Sequence, residues 1–220
     1  SIVHVSQVNA NFYYSTDSIC QGDTLVMFDN STSWLTHPLA DWEFNMGNTP
    51  PGIVNMGDTA YYAYTAPIFQ NETYTITLTA TNSIGCSDDA TLPIIVLPTP
   101  FPILSLPDPS VGCAPFPVTL TNNTMSFGMP IDYFIYEYSD NATIDTIDYI
   151  PFTPPNPNPN TVTHSFTDEG FNSLTMTVVD VFGCYAVQSS VPITISKPFA
   201  SFSMDNVICN GDSLLTTNTS

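Results

Sequence analysis

Five cysteines, three histidines and twenty acidic side chains are the groups in this chain best suited to ligate a metal, transfer a proton or form a covalent bond. Their spacing separates those chemistries. A zinc site needs ligands in close pairs, as in C-x-x-C or H-E-x-x-H. His4, His37 and His164 stand far apart and Cys20, Cys86, Cys113, Cys184 and Cys209 include no such pair. His164 opens a strand and reads as a packing or hydrogen-bonding residue, and His4 and His37 read as exposed. There is no G-x-S-x-G elbow and no Gly-rich phosphate loop, and Asp168-Glu169 precedes Gly170 as hairpin-turn residues do. Convergent carboxylates of the glycosidase type are left open by sequence, but small sandwich repeats leave little room for a catalytic cleft. The expectation is a chain that is not an enzyme, with no catalytic residue and no cofactor.

Hard cations and disulfides are the remaining chemistries. Ca²⁺ takes clustered carboxylate and carbonyl oxygens, so Asp88, Asp89 and Asp140 are its candidate ligands, against the simpler reading of solvated loops. The cysteines fall at two recurring places, near the start of a repeat and after its penultimate strand. They read as intradomain disulfides Cys20–Cys86 and Cys113–Cys184, with the partner of Cys209 beyond residue 220, and free reactive thiols as the other possibility. Closing loops of this length stabilises a domain by about 4 kcal/mol in the chain-entropy view. Disulfides place the chain in an oxidising, extracytoplasmic compartment.

The elements that must position these residues repeat. Ile76-Thr77-Leu78-Thr79-Ala80-Thr81-Asn82-Ser83-Ile84-Gly85-Cys86 superimposes on Leu174-Thr175-Met176-Thr177-Val178-Val179-Asp180-Val181-Phe182-Gly183-Cys184, 98 residues on from Cys86 to Cys184. Ile19-Cys20-Gln21-Gly22-Asp23-Thr24-Leu25 returns as Ile208-Cys209-Asn210-Gly211-Asp212-Ser213-Leu214, with a divergent copy at Gly112-Cys113-Ala114-Pro115. The steps are 93 residues from Cys20 to Cys113 and 96 from Cys113 to Cys209. A period near 100 is too long for a solenoid unit and matches one Ig-like sandwich. The expected organisation is the last strand of a preceding repeat at 1–7, β-sandwich domains at 8–98 and 99–197, and the first strands of a following repeat at 198–220. With no start Met, signal peptide or targeting motif, the chain reads as a window from something longer.

Within each repeat Tyr74, Ile76, Leu78 and Ala80 alternate with threonines, and Leu174, Met176 and Val178 do the same. That period of two marks half-buried strands. Twenty prolines and ten glycines punctuate a chain without helical periodicity, so the class is all-β. Pro98-Thr99-Pro100 and Lys197-Pro198 make short, stiff junctions, which imply tandem domains in an extended rod.

Charge excludes further functions. Lys197 is the whole complement of Lys plus Arg, and the formal net charge is -19. Nucleic acid is excluded as a partner, because phosphate binding needs cations. Anionic membrane surfaces lack the basic segment they attract, and no apolar run approaches the roughly 20 residues of a spanning helix. Contact with partners would then rest on aromatics such as Tyr13, Tyr14, Tyr61, Tyr62, Tyr133 and Phe134, one strand face packing the core and the other free to stack on sugar or a neighbouring filament. The Pro-rich stretch 151–159 reads as an extended, solvent-facing loop.

Trp42-Glu43-Phe44-Asn45-Met46-Gly47-Asn48, the strand Tyr74 to Asn82 followed by Gly85-Cys86, and His164-Ser165-Phe166 resemble the PKD family of Ig-like domains. The likeness is strongest to the tandem, Cys-containing type in giant surface proteins of gliding Gram-negative bacteria, and it covers essentially the whole chain. The Gly-Asp turn of that family is lost in both repeats. The resemblance implies non-catalytic spacers, adhesin repeats or accessory domains, exported by type IX secretion. The D-[S/T]-apolar triplets at Ser18, Thr24, Thr59, Thr146 and Ser213 resemble the O-glycosylation signal of that group, although a turn running into a strand yields the same pattern. The reading is a structural or adhesive segment of an extracellular, cell-surface protein or filament. Its partners would be neighbouring repeats, other filament chains or surface glycans. The alternative is an accessory carbohydrate-binding module of a secreted hydrolase.

Overall fold

Threonine-lined alternation over short segments separated by Pro and Gly turns leaves strands as the only regular element, and among the described residues there is no helix. The computed structural model describes the chain except residues 1–4, 35, 51, 56–57, 66, 107–109, 141–149, 152–160, 190–191 and 205. Two compact units are present, one built on Ser1–Pro100 with Ser126–Pro130 and Asp180–Cys184, the other on the remaining residues.

The first unit holds β1 (Val8–Asn9), β2 (Phe12–Tyr14), β3 (Ser18–Cys20), β4 (Thr24–Asp29), β5 (Thr32–Ser33), β6 (Leu39–Asn45), β7 (Ile53–Asn55), β8 (Thr59–Ala63), β9 (Glu72–Asn82) and β10 (Ser87–Leu97). One sheet runs β3-β10-β9-β6-β7 and the other β2-β4-β8, while β1 pairs with β5. On β9, Ile76, Leu78 and Ala80 are fully buried and the intervening threonines are not, as the alternation requires. Leu25 and Met27 of β4, Phe44 of β6 and Ile94 of β10 meet Ile76 and Leu78 in one core. Burying an aliphatic side chain of this size stabilises by roughly 1.5–3 kcal/mol.

The second unit holds β11 (Leu104–Ser105), β12 (Val111–Cys113), β13 (Phe116–Asn122), β14 (Ile131–Tyr138), β15 (Ile150–Pro151), β16 (Thr161–Phe166), β17 (Gly170–Asn172), β18 (Leu174–Asp180), β19 (Tyr185–Ser189) and β20 (Ile193–Ser196). Its sheets are β15-β14-β18-β19, β11-β13-β16 and β12-β20-β17. Leu120, Phe134, Tyr136, Phe166, Leu174, Met176 and Val178 are fully buried in its core. Both units are β-sandwiches of the Ig-like kind, antiparallel except that β3 lies parallel on β10 and β12 parallel on β20.

At the two ends of the chain, Val5–Gln7 are not in a strand, and residues 1–4 of the expected opening strand lie outside the described residues. β21 (Phe202–Met204) pairs with β22 (Thr216–Asn218), Phe202 facing Asn218, much as Phe12 of β2 faces Asp29 of β4.

Candidate functional site

Cys20 closes β3, and its register partner on β10 is Leu97, the last residue of that strand. Cys86 stands just before Ser87, the first residue of β10. Eleven residues of extended strand, about 36 Å at ~3.3 Å each, therefore separate the two cysteines. A disulfide needs Cα atoms within about 7 Å, so the expected Cys20–Cys86 pair does not form. The second expected pair fails in the same way, since Cys113 faces Ser196 at the end of β20 while Cys184 stands at the start of β19. Instead Cys20 is bonded to Cys184, with Cα atoms 5.5 Å apart at a sequence separation of 164. Cys86, Cys113 and Cys209 are free thiols.

The two Gly-Cys turns are built alike. Asp180 Oδ1 accepts from the Phe182 and Cys184 amides at 2.9 and 3.0 Å, and the Asp180 amide donates to the Cys184 carbonyl at 2.9 Å. Asn82 Oδ1 accepts from the Ile84 and Cys86 amides at 3.2 and 2.9 Å, and its amide donates to the Cys86 carbonyl at 2.9 Å. Asn82 and Asp180 are both buried. Sequence reasoning aligned these segments but missed what the Asx residue does. Its signal was an Asn or Asp four residues ahead of each Gly-Cys cysteine, a spacing that lets a short side chain bond backbone two residues on.

The aromatic contact residues divide by strand phase. Tyr13 and Tyr61 are more than half exposed. Tyr13 stacks on its cross-strand partner Phe28 with ring centroids 5.2 Å apart. Tyr61 faces Val26, the next outward residue of β4. Tyr13, Phe28, Val26 and Tyr61 thus form one apolar row across β2, β4 and β8, about 10 Å from outer strand to outer strand. Two expected contact residues face the other way. Tyr62 packs against the core and its hydroxyl accepts from Asn48 Nδ2 at 2.7 Å. Phe134 is fully buried, because inward positions on β14 fall at Phe134, Tyr136 and Tyr138, and Tyr133 is only half-buried.

Tyr62, Tyr64 and Tyr74 form a cluster of rings in the same unit. The Tyr64 hydroxyl donates to the Met46 carbonyl at 2.8 Å, and its ring stacks on Tyr74. Burial and the neighbouring tyrosines push the Tyr64 phenol well above its ordinary range. The hydrogen bond to Glu72, followed by burial, pushes Tyr74 up to about 12. Tyr14 is raised by burial and then by Asp17.

In the second unit His164 Nε2 meets Asp140 Oδ1 at 2.8 Å, and its ring stacks on Tyr138 with centroids 3.7 Å apart. Asp140, a candidate cation ligand, is buried and engaged there, its other oxygen accepting from the Thr167 amide. Asp88 Oδ2 accepts from the Ala10 amide and Asp89 Oδ1 from the Thr79 hydroxyl. Each candidate carboxylate is thus engaged by a neighbouring segment, and no cluster of three or more metal-binding side chains occurs among the described residues. Of the candidate glycosylation residues, Ser18, Thr24 and Ser213 are exposed and Thr59 is half-buried, while Thr146 and residues 152–159 of the Pro-rich stretch lie outside the described residues.

These features define a chain of Ig-like β-sandwich units. Among solved structures it is similar to the PKD1 domain of Vibrio anguillarum Epp, at 23% identity over 41% of this chain and 93% of that one, TM-score 0.33. It is also similar to fibronectin(III)-like modules of Clostridium thermocellum CbhA, at 16% identity over 87% and 95%, TM-score 0.34. A third is a carbohydrate-binding module of the β-sandwich superfamily, at 13% identity over 82% and 98%, TM-score 0.37. No protein-family model and no curated protein matches the sequence.

Proposed function

We propose that this chain is a non-catalytic, load-bearing repeat segment of a long extracellular surface protein or filament, with 8–98 and 99–197 as its complete sandwich domains. The observation that carries the reading is the bond between Cys20 and Cys184. Tension applied at the two ends passes from Cys20 through sulfur to Cys184, so the segment between them, a sequence separation of 164, bears none of it. Unravelling that segment would add about 540–590 Å of contour at ~3.3–3.6 Å per residue, and the covalent link withholds it. A disulfide also fits an oxidising, extracellular setting. The exposed Ser18, Thr24 and Ser213 are the residues best placed to carry sugar.

Single-molecule pulling between residues 1 and 220 tests the reading. Without reductant the extension should stop short by about 540–590 Å of the length reached with reductant. Equal final extensions in both conditions would refute it.

The row of Tyr13, Phe28, Val26 and Tyr61 favours a second reading, an accessory carbohydrate-binding module, since aromatic faces stack on sugar rings. Affinity electrophoresis in polysaccharide gels separates the two. Retardation that Tyr13→Ala and Tyr61→Ala together abolish supports the module, and unchanged mobility across a panel of cell-wall and storage glycans supports the structural segment.

A further inference from the structure

The outward face of β2 and β4 continues past those strands. Phe12 faces Asp29, the Asn30 amide donates to the Asn11 carbonyl at 2.8 Å, and Asn9 faces Thr32, so one antiparallel register runs from Val8 to Tyr14. Side chains alternate along such a ladder. Val8 and Phe12 are buried. Gln7, Asn9, Asn11 and Tyr13 therefore point outward on one strand, and Phe28, Asn30, Thr32 and Trp34 on the other. Tyr13 and Phe28 stand at one end of this ribbon, and Trp34, about half exposed, stands at the other. Phe28 and Trp34 are six residues apart, about 20 Å of extended chain at ~3.3 Å each.

The chemistry between the aromatic ends is uniform. Gln7, Asn9, Asn11, Asn30 and Thr32 are exposed, and their side-chain amides and hydroxyl have no hydrogen-bond partner among the described residues. An amide offers donors and an acceptor in one plane, which suits the hydroxyls of a sugar ring, while exposed aromatic rings stack on the ring's apolar face. The ribbon holds no Asp, Glu, Lys, Arg or His, although the chain carries a net charge of -19. That charge repels acidic glycans, and it repels a further repeat of the same composition. A docked protein face would also have to pair each amide or leave it buried at a cost.

We propose that this ribbon binds an extended, neutral, β-linked glycan. Tyr13 and Phe28 stack on one sugar ring, Trp34 stacks on another several rings along, and Gln7, Asn9 and Asn30 bond hydroxyls between them. A straight strand pair favours a glycan that extends over one that coils. The inference rests on the carbohydrate-module reading, to which it adds the Trp34 end and the class of ligand, and it is independent of the Cys20–Cys184 bond.

The test titrates the full chain with cellohexaose, mannohexaose and xylohexaose, followed by calorimetry and by tryptophan emission. Trp34 and Trp42 are the only tryptophans, and Trp42 packs against the core, so a change in emission reports the Trp34 end. At least one hexasaccharide should bind, shift the emission and bind about tenfold more tightly than its own disaccharide, which cannot reach both ends. Trp34→Ala should weaken that binding about tenfold and Gln7→Ala about threefold, with the melting temperature unchanged because both side chains are exposed. Maltohexaose, whose α-links coil the chain, should bind about tenfold more weakly or not at all. Binding of none of the three hexasaccharides would overturn the proposal, and so would maltohexaose binding as tightly as the best of them. Retardation in polysaccharide gels that depends on Tyr13 and Tyr61 but not on Trp34 would also overturn it, while leaving the module reading in place. Self-association that Trp34→Ala abolishes, with no glycan bound, would assign the ribbon to a protein partner instead.

Discussion

Tyr62-Ala63-Tyr64 of the first unit and His164-Ser165-Phe166 of the second occupy the same place in their sandwiches, since Leu25 of β4 faces Tyr62 and Val118 of β13 faces His164. In the first unit the third residue of the triplet, Tyr64, ties the strand to the Met46 carbonyl through a neutral hydroxyl. In the second the first residue, His164, ties it to the Asp140 carboxylate through a ring nitrogen, and Phe166 is left to pack. The edge-to-face contact inside the triplet survives the exchange, with centroids 5.0 Å apart for Tyr62 and Tyr64 and 4.7 Å for His164 and Phe166. Both sandwiches thus hold a polar anchor at this place, built from different chemistry. The consequence is that the two units meet changes of solvent differently.

Four perturbations act on the two units differently. The largest effect belongs to reductant. Opening the Cys20–Cys184 bond frees a 164-residue loop in the unfolded chain and should cost about 5 kcal/mol, seen in calorimetry as a drop in melting temperature. Next come the separate cores. Phe44→Ala and Phe134→Ala each remove a fully buried ring and should cost about 3–5 kcal/mol, each lowering only the transition of its own unit. A single merged transition responding equally to both would break the distinction between the units.

The anchors themselves rank third. His164→Phe leaves the buried Asp140 carboxylate without its ring partner and should cost about 1.5–3 kcal/mol in urea melts. Tyr64→Phe removes a neutral bond and should cost about 1–2 kcal/mol.

The smallest effect near neutrality is that of pH. The Tyr64 and Tyr74 phenols are raised in the folded state, so the folded chain holds their protons where the unfolded chain has released them. Their contribution is whole below the ordinary phenol range near ~10 and is lost as pH climbs toward about 12. Absorbance at 295 nm should show tyrosines that ionise only as the first unit melts, and Tyr64→Phe with Tyr74→Phe should remove that late step. Ionisation of every tyrosine near ~10 with the fold intact would contradict the buried cluster.

Much of the fold was legible because alternation is local. Ile76, Leu78 and Ala80 among threonines could only be one strand with one buried face, and the 98-residue recurrence at Leu174, Met176 and Val178 marked a second. The cysteine pairing was not legible, because it depends on where β3 docks. Position in the sequence puts Cys20 and Cys86 in one repeat, but only the parallel pairing of β3 with the far end of β10 shows that a full strand divides them. The aromatic run Tyr133-Phe134-Ile135-Tyr136 was ambiguous for another reason. With apolar residues at both phases its alternation has no visible direction, and the core took Phe134 and Tyr136. Asp140 read as a loop carboxylate because His164, 24 residues on, gave no local sign of reaching it.

The most direct measurement is a disulfide map of the chain purified without reductant, digested with chymotrypsin because Lys197 offers almost nothing to trypsin. A cross-linked pair of peptides containing Cys20 and Cys184 is the expected result, with Cys86 and Cys113 alkylated. Peptides joining Cys20 to Cys86 and Cys113 to Cys184 would contradict it, and with it the load path on which the proposed function stands.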